Sequence, residues 1–149
     1  ELITNHWVCP VGFIDKRTDE GRRRLDQIFR RATILIVPSL AECYGLVYCE
    51  ANAYALPAVG CDVGGVSTII RDGENGFLVE PGRFQACEAD RLVALLKSPK
   101  DYKRMASQAR GEYEKRLNWK VAGRRASEII EACVEIHQSG IKREAPEKA

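Results

Sequence analysis

Short apolar runs alternating with helical patterns predict an α/β fold on a mostly parallel sheet. Three observations carry this. Residues 33–38 (TILIVP) are a continuous, largely β-branched run with no polar alternation, as expected of a strand covered on both faces. Residues 57–61 (PAVGC) are a second such run, and a Gly64-Gly65 turn follows them. Before the first run, Leu25, Ile28, Phe29 and Ala32 recur at i, i+3, i+4 and i+7 and give a helix one apolar face.

The elements follow in order. Residues 6–13 (HWVCPVGF) read as a short buried strand. A helix covers about residues 19–32, the strand at 33–38 comes next, and a second helix spans about residues 45–55. After the strand at 57–61, VSTIIR forms a short helix, residues 72–76 (DGENG) a turn and GFLVE a last strand. Three helices finish the chain. Leu92, Val93, Leu95 and Leu96 line the first. Ser98 as N-cap, Pro99 at the first helical position and Asp101 in the first turn start the second. The third begins near Trp119 and runs to about His137, and the polar KREAPEKA end is frayed. The chain shows no internal repeat and no low-complexity segment.

The bulk properties bound the function. At 149 residues the chain is long enough for one domain with a real core. A net charge of +2 gives no argument for nucleic acid. Arg22, Arg23, Arg24, Arg30 and Arg31 read as a solvated helix face, with a phosphate or anionic-membrane patch as the alternative. The six cysteines form no C-x-x-C pair and have no histidine at zinc-ligand spacing. Most lie in apolar segments and read as reduced, buried thiols of a cytoplasmic protein. No membrane span or signal peptide is visible. The chain begins with Glu1 rather than Met and reads as a fragment.

Ligands of parallel α/β folds bind beyond the carboxyl ends of the strands, here near Phe13, Pro38-Ser39, Cys61-Asp62 and Glu80. Two carboxylates fall in that zone. Glu42 lies in the loop after the 33–38 strand, and Glu50, seven intervening residues later, lies on an otherwise apolar helix. Glu80 and Glu88 share the spacing but flank a Pro-Gly turn and read as surface residues. Leu46 and Tyr54 stand at i−4 and i+4 from Glu50, so it is expected on a buried face. A carboxylate there needs hydrogen-bond donors. Paired ribose hydroxyls would supply two; a backbone or Arg partner is the alternative. Gly45 opens this helix, whose unpartnered N-terminal amides favour an anion, and glycine permits close approach of a diphosphate. An ordinary flexible helix start is the alternative there, as a plain turn is for Gly64-Gly65. His6 and His137 read as structural or exposed. No Walker A sequence, G-x-G-x-x-G or defensible Ser/His/Asp group is present.

The combined pattern resembles the C-terminal half of a family 4 glycosyltransferase of the GT-B fold. The family's E-x7-E motif is matched by Glu42 and Glu50, in a P-S-x-x-E-x-[FY]-G-[LI] context supplied by Pro38, Ser39, Glu42, Tyr44, Gly45 and Leu46. An EAxAxxxP pattern at residues 50–57, a VGG turn at 63–65, a DGxNGxLV pattern at 72–79 and the late Trp119 extend the likeness over about residues 7–136. The resemblance implies a Rossmann-like parallel sheet, forming part of the C-terminal domain of a GT-B enzyme that transfers sugar with retention. It implies that Glu50 binds the ribose hydroxyls and that Glu42 faces the transferred sugar as the catalytic residue. The backbone amides of Tyr44, Gly45, Leu46 and Val47 would hold the sugar and diphosphate, with Gly64 and Gly65 beside them. A nucleotide-diphosphate sugar would be the donor substrate, an unidentified sugar, lipid or small molecule the acceptor, and no cofactor or metal is required.

The sequence departs from the family in places. Ser67-Thr68 stands where members carry Pro-Glu. The family's diphosphate-clamping Arg and Lys, its acceptor domain and the first two strands of this domain would precede Glu1. The 6–13 strand is then expected to be displaced, or to pair with another copy in a strand-mediated homodimer. Residues 1–138 are read as a partial nucleotide-sugar-binding domain and residues 139–149 as a polar tail. The fragment alone is expected to be inactive. The full-length protein is expected in the cytoplasm, peripheral to the inner face of the membrane. Rival readings are a GT-B sugar-nucleotide epimerase or phosphorylase, and a non-catalytic α/β interaction module.

Overall fold

The computed structural model describes residues 8–83 and 87–143. Three parallel strands, β1 (Leu35–Val37), β2 (Ala58–Cys61) and β3 (Gly76–Val79), lie in the order β1-β2-β3. Ile36 stands opposite Val59, which stands opposite Phe77. β2 is buried along its whole length, which is why its sequence lacks polar alternation.

Helices cover both faces. Helix α1 (Asp19–Arg31), helix α2 (Leu46–Ala53) and the short α3 (Val66–Ile69) pack one face, where Phe29, Tyr48, Ala51, Ala58, Val66 and Ile69 form a buried cluster. Helix α4 (Cys87–Lys97) and helix α5 (Pro99–Glu112) cover the other, where Leu95 and Met105 meet Val59, Phe77 and Val79. Ala58 and Val59 point to opposite layers, as successive strand residues must. Ser98 caps α5 by accepting from the Asp101 N–H at 3.4 Å, and Thr18 caps α1 by accepting from the Gly21 N–H at 3.0 Å.

The structure corrects several expectations. Residues 8–13 form no strand, and Val8, Val11 and Phe13 are exposed, Phe13 at 87%. A strand there would need a neighbour for its amides and carbonyls. β1 pairs with β2 alone among the described strands, and residues 8–13 do not join it. The expected 6–13 strand is therefore absent over the described residues 8–13, and His6 lies outside the described residues. Of the four apolar residues expected to line α4, Leu92 and Leu95, three apart, face the core, whereas Val93 and Leu96 are exposed. Cys49 and Cys61 are buried, but Cys9, Cys43 and Cys133 are exposed. Cys9 and Cys43 sit in loops and Cys133 on an exposed helix, so apolar neighbours in sequence do not bury them.

Between α5 and the last helix, α6 (Trp119–Arg143), lies a π-helical turn, Tyr113–Leu117. The Asn118 amide donates to the carbonyls of Tyr113 (2.8 Å) and Glu114 (3.1 Å), while its oxygen accepts from the Val121 N–H at 3.0 Å. Asn118 thereby closes one helix and opens the next. Arg116 reaches back to Glu112 and to the carbonyls of Thr68 and Ile69 at the end of α3.

Candidate functional site

The loop between β1 and α2 is positioned by one aromatic ring. Tyr48 is wholly buried and its hydroxyl donates to the Val37 carbonyl at 3.2 Å. Two glycines make room for it. A Cβ at Gly60 would stand 2.5 Å from the Tyr48 hydroxyl, and a Cβ at Gly45 would stand 2.5 Å from the ring. Gly45, at φ +88°, is also the N-cap of α2 and supplies no capping side chain. The Tyr48 N–H donates to the Gly45 carbonyl at 2.9 Å, while no capping side chain receives the amides of Leu46 and Val47.

Gly64 and Gly65 lie directly against this loop. Gly64 has φ +53°, and a Cβ there would fall 1.8 Å from the Glu42 carbonyl oxygen. The Gly65 N–H donates to the Cys43 carbonyl at 2.9 Å. Packing of backbone on backbone thus accounts for the glycine pair. The Thr68 hydroxyl returns to the Gly65 carbonyl at 2.6 Å and ties the turn into α3. Glu42 is half-buried, and its Oε1 accepts from the Cys43 N–H at 3.1 Å.

Glu50 sits differently. The face expected to be buried is half open: the Glu50 side chain is 40% exposed, and Leu46, one turn earlier, is exposed too. Two cavities meet there, which is the physical reason. One, of about 390 Å³, is walled by Tyr44, Leu46, Cys49, Arg116 and Trp119. The other, of about 340 Å³, is walled by Lys16, Asp26, Phe29 and Tyr54. The partner of Glu50 is neither backbone nor arginine. Lys16 Nζ donates to both carboxylate oxygens, at 3.0 and 3.1 Å.

Lys16 is the residue that sequence reasoning missed. It lies 34 positions from Glu50, in a loop without periodicity. The turn that carries it is well built. The Thr18 N–H donates to the Asp15 carbonyl (3.2 Å), and Asp15 Oδ1 accepts from the Arg17 N–H (3.0 Å) and Nε (2.9 Å). Arg22 donates to the Lys16 and Arg17 carbonyls at 3.1 and 2.9 Å. Arg17 holds the Asp15 carboxyl below its ordinary range.

Tyr54 forms the aromatic wall. Its ring stacks on Phe29 with centroids 5.1 Å apart, and its hydroxyl donates to Asp26 at 2.8 Å. Asp26 also accepts from Arg30 at 2.8 Å. The Arg30 hydrogen bond, then that of Tyr54, holds the Asp26 carboxyl below the usual range, and Asp26 in turn pushes the Tyr54 phenol up. Burial pushes the Cys49 thiol up. His137 lies exposed on α6, away from these groups. Among the described residues no three His, Cys, Asp or Glu side chains group to hold a metal, and no helix is long and apolar enough to cross a membrane.

Comparison with known proteins places this arrangement. Residues 17–112 match the family described as Glycosyl transferases group 1. The D-inositol 3-phosphate glycosyltransferase of Corynebacterium efficiens is 35% identical over 136 residues, covering 91% of this chain and 31% of that protein. The chain spans less than a third of the length of the curated relatives it matches. Among solved structures, HepE of Anabaena in complex with UDP-glucose superposes with a TM-score of 0.57 at 25% identity, covering 68% of this chain and 29% of HepE. The C-terminal domain of the glycosyl transferase group 1 family protein LpcC from Francisella tularensis gives 0.60 at 28%, covering 73% of this chain and 53% of that one. The fold is that of part of a GT-B C-terminal domain, a Rossmann-like parallel sheet with helices on both faces.

Proposed function

Because the chain belongs to the group 1 glycosyl transferases, we propose that it is the donor-binding part of a longer enzyme that moves a sugar from a nucleotide-diphosphate sugar to an acceptor with retention. The observation that carries the reading is the seat of Glu50: an ionisable side chain on an open helix face, between two cavities, one turn from uncapped helix amides. Its oxygens accept the two ribose hydroxyls. The amides of Tyr44, Gly45, Leu46 and Val47 receive the diphosphate and sugar. Glu42, in the loop above, faces the transferred sugar near its 3- and 4-hydroxyls. Gly64 and Gly65 hold that loop close to the sheet.

In this role the protein orients the donor and spreads the charge of the departing diphosphate over fixed amides. The chemistry calls on no metal and no cofactor. HepE was solved with UDP-glucose, so UDP-glucose is the first donor to try; the acceptor is a sugar, lipid or small molecule. Residues 1–138 form the partial nucleotide-sugar domain and residues 139–149 a polar tail, although helix α6 continues past the expected end near His137 to Arg143; the fragment alone is inactive. The free thiols of Cys9, Cys43, Cys49, Cys61 and Cys133 suit a reducing, cytoplasmic setting, with the longer enzyme resting against the inner membrane face. Among the described residues no strand pairs with the outer edge of β1, which supports pairing of two copies of this fragment, and a light-scattering mass reads that directly.

Calorimetric titration with UDP-glucose and with GDP- and ADP-sugars tests the donor site. One nucleotide class is expected to bind, with Glu50→Ala weakening it about tenfold or more through loss of two hydrogen bonds to a charged acceptor. Equal affinity in the variant would contradict the reading.

A further inference from the structure

We propose that Lys16 is a positioning residue for donor recognition: its ammonium fixes the Glu50 carboxylate in the orientation that receives the ribose diol. The inference rests on the donor-site reading of Glu50 and goes beyond it to the residue that makes Glu50 selective for a diol.

The geometry is specific. A carboxylate offers about four lone-pair positions, two on each oxygen. Lys16 Nζ takes one on each, at 3.0 and 3.1 Å. One position remains free on each oxygen, as many as a vicinal diol has O–H groups to donate. Diol and ammonium can therefore bind the same carboxylate together. Among the described residues Glu50 has no other hydrogen-bond partner. Without Lys16 nothing in the described structure would fix its terminal torsion, which is intrinsically broad.

The lysine itself springs from a fixed point. Asp15, Arg17 and Thr18 hold its turn, and Arg22 holds its carbonyl. Only the four-carbon stem is flexible. Lys16 and Glu50 both line the Tyr54-walled cavity of about 340 Å³, so the pair stands at open space beside an aromatic wall.

Energetics separate this role from a structural one. Lys16 and Glu50 are 57% and 40% exposed, and an ion pair so exposed contributes little to folding. Its removal should leave stability unchanged and alter diol recognition.

The test uses the longer enzyme of which this chain is the proposed donor-binding part. Dissociation constants are measured by calorimetry for UDP, GDP and ADP and for the 2′-deoxy counterpart of whichever binds. The readout is the ratio of the deoxy to the ribo constant. In the wild type this ratio should be about tenfold, the worth of one hydrogen bond to a charged group. Glu50→Gln should bring it close to one. Lys16→Met should lower it to about threefold or less with Tm unchanged, and Lys16→Arg should restore it. A ratio that collapses in Glu50→Gln and stays at the wild-type value in Lys16→Met overturns this inference and leaves the donor site standing. So does a drop in Tm for Lys16→Met with no change in the ratio. A ratio unmoved by Glu50→Gln, or no binding of any of the three nucleotides to the wild type, overturns the donor-site reading and this inference with it.

Discussion

The two carboxylates are seated by different physics. Glu42 belongs to a loop fixed by packing: the Gly64-Gly65 turn touches its backbone, and the buried Tyr48 ring fills the space under Gly45 and Gly60. Glu50 stands on an open helix face and is held by one exposed lysine. The first seat is built into the core, so disturbing it should cost folding. The second is built from charge at the surface, so disturbing it should cost recognition and little else. The two glutamates of this chain, eight positions apart, thus have two unlike supports, one shared with the fold and one separable from it.

That contrast breaks most sharply at Gly64. An alanine there must keep φ +53° and place its Cβ 1.8 Å from the Glu42 carbonyl. Overpacking and the left-handed conformation together should destabilise Gly64→Ala by about 3 kcal/mol, read as a lower urea midpoint with an unchanged m-value. Stability at or above the wild type would show that the loop yields freely.

Tyr48→Phe is the milder probe of the same seat. It removes the hydrogen bond to Val37 and keeps the ring. A loss of about 1 kcal/mol is expected in the same urea experiment. Against these, the surface substitution Lys16→Met should not move the midpoint at all.

The smallest effect concerns acid. Arg30 foremost, and Tyr54 after it, hold the Asp26 carboxyl below its unfolded value. The folded state therefore binds fewer protons, and the stabilisation is present above the unfolded carboxylate range of about 4 and is lost as pH falls through the folded value. Because Asp26 is exposed to solvent the change should be slight. Asp26→Asn should flatten the slope of Tm against pH below about 4, while an unaltered slope would remove Asp26 from the acid response.

The sheet was legible in sequence because its strands are apolar runs, but only β2 is covered on both faces as expected; on β1 the central Ile36 is 46% exposed, since β1 stands at the edge of the described sheet. TILIVP and PAVGC became β1 and β2, and GFLVE became β3. The frame of the proposed site was legible through motif: Glu42 and Gly45 lie in the loop after β1, where parallel sheets place ligands, and Glu50 follows one turn into α2. The supports were not. Gly64 and Gly65 read as turn residues or ligand contacts, because sequence does not show which backbone lies against a missing Cβ. Lys16 carried no signal, since one lysine in a loop looks like any other until the fold brings α1's leading turn to α2. Residues 8–13 have the composition of a strand, but a strand is a property of its neighbours as well as of itself. The π-helical turn arises from Asn118 bonding back to two carbonyls, a tertiary detail that periodicity does not record.

The central claim is that residues 42–50 form a donor site. Backbone amide shifts of the isotope-labelled chain, followed by NMR as a UDP-, GDP- or ADP-sugar is added, test it most directly. The account predicts shifts that cluster at residues 42–50, at Lys16 and at Gly64-Gly65 for one nucleotide, and that shrink in Glu50→Ala. Shifts that cluster elsewhere, or that are indifferent to Glu50→Ala, would contradict it.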